Sequence, residues 1–318
     1  MTMTPVQLAK DLHRRMGYPL GKAHYRMQML VNDINGYGGP MRHVRKIAYK
    51  VKNLGDVMTR RKAAQEYTKD LKPSIAARVK ELRKNGFAYF TEEVDPQLLA
   101  ELKSFYDEVL TERSKVATAS PSHPFFFSLM DDADYKTDHI LLRFVLQESI
   151  IKAVSAHFGS VPFLNPMGIQ ESRHVKIEKK ALRASQQWHL DYTTGGDEAV
   201  SVWVYFTDVP TVAQGPLTIL PVAASRRVKN TFFPGRIEDE QIEQSELAKE
   251  VTPIFGPKMT VFLVSTHRCY HMGSRVHEGE KRVVGIFPFY KAADIDEFIK
   301  VTTPLPDLQK MVVSHIPA

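Results

Sequence analysis

Four short runs rich in β-branched and aromatic residues, 199–206, 217–220, 259–264 and 282–290, crowd the second half of the chain. Proline and glycine cut between them, at Val209-Pro210 and again at Gln214-Gly215-Pro216. Residues of this kind suit a pleated, half-buried surface, so the runs read as strands. Short strands separated by such breaks predict an antiparallel barrel or jelly roll, a mainly β fold with flanking helices. At 318 residues, 43% of them hydrophobic, the chain has enough apolar material for one large domain plus an extension.

His189-Leu190-Asp191 stands just before the first of these runs. In a strand, residues i and i+2 point to the same side, so His189 and Asp191 are able to grip one ion while Leu190 faces away. A later imidazole would complete two histidines and a carboxylate on one face of a metal. That set leaves three positions open, the arrangement by which non-heme Fe(II) binds a co-substrate and oxygen together. His267, His271 and His277 are the candidates for the third place. Taken singly, each residue has a plainer reading. Asp191 suits an Asx turn before Thr193-Thr194-Gly195-Gly196, Trp188 and Trp203 suit core packing, and Arg282 suits an exposed strand end.

From about residue 74 to 292 the sequence resembles the phytanoyl-CoA dioxygenase-like (PhyH) family of Fe(II)/2-oxoglutarate-dependent oxygenases. The resemblance rests on His189-x-Asp191, the strand return Gly215-Pro216-Leu217, a distal histidine and an arginine eleven residues beyond it. That spacing selects His271 with Arg282. His267 then reads as a hydrogen-bonded structural residue and His277 as a solvated neighbour of Glu278 and Glu280. The resemblance implies a double-stranded β-helix (jelly-roll, cupin-like) core, with His189, Asp191 and His271 as catalytic ligands to Fe(II). It also implies that Arg282 pairs with the distal carboxylate of 2-oxoglutarate, a task for which its planar two-donor fork is suited. Trp203 matches an aromatic position near that pocket. The implied reaction consumes O2, splits 2-oxoglutarate to succinate and CO2, and hydroxylates a C–H bond of a small-molecule metabolite. Two departures stand out. Pro221-Val222-Ala223-Ala224-Ser225 replaces a usual Pro-Gly-Ser-His turn, and Gly273 occupies a position where members often carry a hydroxyl, a duty expected of Ser274 instead.

Charge divides the chain. Residues 1–84 carry a net +13 and residues 85–318 a net −6. Residues 1–73 are expected to form a basic helical N-terminal extension, broken at Gly36-Tyr37-Gly38-Gly39-Pro40, and 74–318 the oxygenase domain. The basic clusters suit a solvated helical surface or a dock for an anionic partner. No aromatic residues interleave them in the manner of a nucleic-acid motif. A catalytically inactive jelly-roll binding protein and a nucleic-acid-directed demethylase are the alternatives to a metabolite hydroxylase. Ser74 is expected to cap a helix to Lys84, and Asp95-Pro96 a second one. Segment 117–138 is expected to loop over the site with a solvated acidic cluster, and 226–250 to act as a lid. A single cysteine, Cys269, excludes an internal disulfide framework and is expected on a strand as an oxidation candidate. No apolar stretch reaches membrane-spanning length and no secretory signal is evident, which suggests a cytoplasmic protein.

Overall fold

The computed structural model describes residues 47–120, 123–176, 182, 184–191, 198–228, 236–292 and 299–314. Most of the expected basic extension, including the Gly36–Pro40 break, lies outside the described residues.

Among the described residues a helical stretch at 47–52 precedes helices α1 (Leu54–Tyr67) and α2 (Pro73–Asn85), strand β1 (Phe87–Tyr89) and helices α3 (Pro96–Phe105) and α4 (Thr111–Val116). Strands β2 (Ala119–Ser120) and β3 (His123–Ser128) follow, then α5 (Ile140–Val145), α6 (Glu148–Phe158), β4 (Phe163–Leu164) and β5 (Gly168–Arg173). The C-terminal half runs β6 (Ala199–Tyr205), β7 (Thr218–Ile219), α7 (Val222–Ser225), α8 (Asp239–Glu243), β8 (Thr252–Pro253), β9 (Val261–Val264), β10 (His271–Met272), β11 (Lys281–Tyr290) and α9 (Asp307–Val313).

Among the described residues the strands make two antiparallel sheets. The larger is ordered β1-β9-β6-β11-β5-β3-β2, with β4 also paired to β11, and the smaller is β10-β7-β8. A bridge between His189 and His271 adds the metal-motif segment to the smaller sheet beside β10. Along the chain, β5, β6, β9 and β11 of the larger sheet alternate with that segment, with β7 and β8, and with β10 of the smaller one. This winding between two facing sheets is the double-stranded β-helix that the strand pattern anticipates.

Alternation of side chains then makes two cores. Trp203, Tyr205, Phe262, Val264 and Val284 turn inward between the sheets, where they meet Leu217 and Ile219 of the smaller one. Their neighbours Val200, Val202, Val204, Leu263 and Phe287 turn outward and are covered by helices α2, α5 and α6 through Leu82, Leu142 and Ile151. Each fully buried side chain of this size contributes about 1.5–3 kcal/mol relative to exposure. Helix α1 is tied on by Arg60, which is 1% exposed, pairs with Asp56 at 3.0 Å and lies 3.5 Å over the Phe163 ring. Its remaining donors meet the carbonyls of Pro162, Met311 and Ser314.

Local details differ from the sequence reading in instructive ways. Helix α2 begins on Pro73 without a side-chain cap, because Ser74 Oγ instead donates to Glu93 Oε2 at 2.9 Å. Asp95 does cap α3, accepting from Gln97 N at 2.8 Å. Segment 117–138 is not a loop over the site: β3 pairs with β5 at the sheet edge, and Asp134, 1% exposed, binds Arg113. Of the 226–250 segment expected to act as a lid, residues 229–235 lie outside the described residues and 236–250 are anchored. Ile237 bridges to Trp188, and Ile237, Ile242 and Leu247 are buried with Trp188 and Tyr270, outweighing the polar composition of the segment.

Cys269 lies in a turn, not a strand, with no exposed surface. Its sulfur fills the space above Gly86, whose φ of +88° ends α2, and a Cβ there would come within 2.0 Å of it. Burial pushes the thiol up to about 12. A thiolate is therefore not formed near neutrality, and the oxidation expected from sequence loses its chemical basis. Native protein at pH 8 should titrate no thiol with a disulfide reagent over minutes, and one thiol once unfolded; rapid native labelling would contradict this packing.

Candidate functional site

The antiparallel bridge puts His189 and His271 directly opposite each other, each backbone N–H donating to the other's carbonyl at 2.9 Å. Their rings lie 4.1 Å apart between centroids, on the same face. Nδ1 of His189 faces the Gln187 carbonyl at 2.7 Å, and Nδ1 of His271 faces the Cys269 carbonyl at 3.1 Å. A carbonyl only accepts, so each Nδ1 carries the proton and each Nε2 presents its lone pair. Both lone pairs point at Asp191: His189 Nε2 is 3.5 Å from Oδ1 and His271 Nε2 is 3.7 Å from Oδ2.

Electrostatics keep this set ready for a cation. Burial, and then the neighbouring His189, push His271 down to about 4, so its ring is neutral at physiological pH. Desolvation works against the charged form of Asp191. Its side chain is nevertheless 48% exposed and accepts from the Thr266 hydroxyl, both of which favour the carboxylate. Ligand atoms of the three residues all lie within 4.8 Å of one another. Two neutral imidazoles and one carboxylate, with an open side, fit a divalent iron, and the backbone carbonyls on Nδ1 are the outer partners that such ligands require. His267 lies apart from them: its Nδ1 accepts from Ala199 N at 3.3 Å, the structural role expected of it.

Arg282 opens β11 on the inward face, opposite Ser172 of β5, and is 2% exposed. Among the described residues no carboxylate pairs with it. Nη1 donates to the Gly215 carbonyl and Nη2 to Ser274 Oγ at 2.9 Å, while Nε–H, fully buried, has no acceptor. Burial lowers its pKa accordingly. Trp203, on β6 and 8% exposed, likewise buries an Nε1–H without an acceptor. A guanidinium removed from water without a counter-ion costs several kcal/mol by order of magnitude. Among the described residues these are two buried donors without acceptors, one of them on an uncompensated cation.

Two glycines lie beside Arg282. Gly215 has φ +65°, and a Cβ on it would press on the Arg275 backbone nitrogen at 2.8 Å. At Gly273 a Cβ would sit 3.3 Å from Arg282 Nη1, a tight contact that a small shift of the guanidinium would relieve. The hydroxyl comes from Ser274, at φ +61°, a left-handed conformation that costs a serine roughly 1–2 kcal/mol. The cost is borne by anchors on both sides, Ser274 N to Gly215 O at 3.2 Å and Gln186 Nε2 to Ser274 O at 3.3 Å. Ser172, Gln186 and Thr266 were not legible as site residues, since nothing in their own neighbourhoods announces them.

The sequence model of the family described as phytanoyl-CoA dioxygenase (PhyH) matches residues 82–249, more than half of the chain. The chain belongs to the phytanoyl-CoA dioxygenase family. Within the family match lie His189, Asp191 and Trp203; His271 and Arg282 follow beyond its end. Solved structures similar to this family member include EctD from S. alaskensis with 2-oxoglutarate and 5-hydroxyectoine, at 15% identity over 76% of this chain and 85% of that one, TM-score 0.49. The epimerase SnoN from nogalamycin biosynthesis, in complex with Fe3+, alpha ketoglutarate and nogalamycin RO, is 16% identical over 74% and 92%, TM-score 0.47. HygX from Streptomyces hygroscopicus, with nickel and 2-oxoglutarate bound, is 13% identical over 67% and 86%, TM-score 0.45. No curated protein sequence matches the chain. Among the described residues no helix is long and apolar enough to cross a membrane.

Proposed function

We propose that this protein is an Fe(II)- and 2-oxoglutarate-dependent oxygenase that hydroxylates a C–H bond of a small-molecule metabolite, with succinate and CO2 as co-products. The observation that carries the reading is the pairing of two features inside one jelly roll: a His189–Asp191–His271 cluster with its lone pairs converged, and a buried Arg282 that meets no carboxylate among the described residues. A dicarboxylate co-substrate answers both, since one end ligates the metal and the other neutralises the arginine.

In this reading His189, Asp191 and His271 hold the iron, which when bound supplies the oxidative chemistry. Arg282 binds and orients the distal carboxylate, with Ser274 beside it as a further donor and Trp203 further along the neighbouring strand β6. The apolar wall of Tyr205, Leu217, Phe262 and Val284 excludes water around them. Asp191 fills the carboxylate position that a halide ligand would need, which argues against halogenation, and hydroxylation is the outcome proposed.

The test is an anaerobic titration of metal-free protein with Fe(II) and then 2-oxoglutarate. A visible charge-transfer band should require both additions, disappear in His189→Ala and need far more 2-oxoglutarate in Arg282→Ala. Folded, iron-loaded protein that develops no band would reject the reading. With the band in hand, succinate release across a panel of candidate metabolites identifies the substrate.

A further inference from the structure

Resting on the co-substrate reading above, we infer that Ser172 is a positioning residue that aims the hydroxyl proton of Ser274 at the bound carboxylate. The inference follows from counting hydrogen bonds. Ser274 is 1% exposed, and its Oγ accepts from Arg282 Nη2 at 2.9 Å and from Ser172 Oγ at 3.1 Å. A hydroxyl has two lone pairs and one proton. Both lone pairs are thereby used, and the Ser274 O–H must donate elsewhere. Among the described residues no acceptor meets it. It is left for a ligand, next to the Arg282 guanidinium whose Nε–H also lacks an acceptor among the described residues.

Ser172 causes this outcome by spending its own proton on Ser274. It is completely buried on β5, in register with Arg282 on β11, and its Oγ also lies 3.5 Å from Arg282 Nη2. Without it, Ser274 has a free lone pair, and its hydroxyl is able to rotate away from the ligand. The left-handed backbone at Ser274 is the other half of the device. It swings the hydroxyl over the arginine from a position one residue later than the usual one, where Gly273 leaves room. Ser172 therefore acts through Ser274 and need not touch the co-substrate.

The experiment is a double-mutant cycle on Ser172→Ala and Ser274→Ala, read as the anaerobic affinity of the Fe(II)-loaded protein for 2-oxoglutarate. Each single variant should bind about three- to tenfold more weakly, the worth of one neutral hydrogen bond. The double variant should be no weaker than Ser274→Ala alone, because the action of Ser172 requires the hydroxyl it aims. Ser274→Gly supplies a variant that relaxes the left-handed strain, so loss of affinity there reports the hydroxyl and not misfolding. Unchanged affinity in Ser172→Ala, or a double variant whose loss is the product of the two single losses, overturns the inference while leaving the oxygenase reading intact. Wild-type protein that binds no 2-oxoglutarate removes both.

Discussion

Replacing Asp191 with alanine should reduce succinate release to the metal-free background while leaving the fold in place. In the proposed reading Asp191 supplies one of three ligands and the only anionic one among them, and both Nε2 lone pairs converge on its carboxylate. Loss of a mere outer-shell partner costs roughly 10–100-fold in metal affinity, and loss of a ligand should exceed that. Folding should tolerate the change, because the side chain is 48% exposed and its backbone N–H keeps its bond to the Thr266 carbonyl at 3.2 Å. The metal-free variant should therefore melt within a degree or two of wild type, and the rise in melting temperature that Fe(II) gives the wild type should vanish. Succinate formed at the wild-type rate would sink the ligand assignment. A large drop in metal-free stability would mean instead that Asp191 is chiefly structural.

How far such a site is legible in sequence depends on whether its residues are related locally or through the fold. His189 and Asp191 were legible because two residues on one side of an extended segment are brought together by local geometry alone. The partnership with His271 is non-local, created by an antiparallel bridge across 82 positions of chain, and only family spacing announced it. Ser172 lay beyond reach, since its meaning comes from the β5–β11 register and its own strand looks ordinary. The swap of Gly273 and Ser274 was visible as a departure, but its logic required a backbone angle and the nearness of Arg282.

The fold shows the same division. Strands β6 and β9 were legible from their β-branched and aromatic content, but which face of each turns inward was not, because both faces are buried and the apolar runs do not alternate. Segment 117–138 and the 236–250 part of the expected 226–250 lid were misread for one reason: their polar residues outnumber a few anchors. Phe125 and Asp134 in the first, and Ile237, Ile242 and Leu247 in the second, are the buried ones that decide where each segment lies. Composition averages over such anchors, whereas packing responds to each of them.

Arg282→Met should move stability and binding in opposite directions. In the metal-free protein the guanidinium is buried, lacks a carboxylate partner among the described residues and leaves Nε–H unmet, so it opposes folding. Methionine fills much of the same volume without a charge. Nothing is orphaned by the change, because the Gly215 carbonyl keeps the Ser274 N–H and Ser274 Oγ keeps the Ser172 hydroxyl. Replacing poorly compensated buried charge with packed apolar groups gains about 1–4 kcal/mol, and each kcal/mol is worth roughly 2–4 °C in a domain of this size class. The metal-free variant should melt several degrees above wild type. The further rise that wild type shows with Fe(II) and 2-oxoglutarate should be absent, since the anion has lost its counter-charge. A variant that melts below wild type yet keeps the 2-oxoglutarate shift would show that Arg282 is a structural strut, and the carboxylate would have to be held elsewhere. The opposite pattern follows only if the protein keeps a destabilising charge in its interior because a ligand arrives to neutralise it.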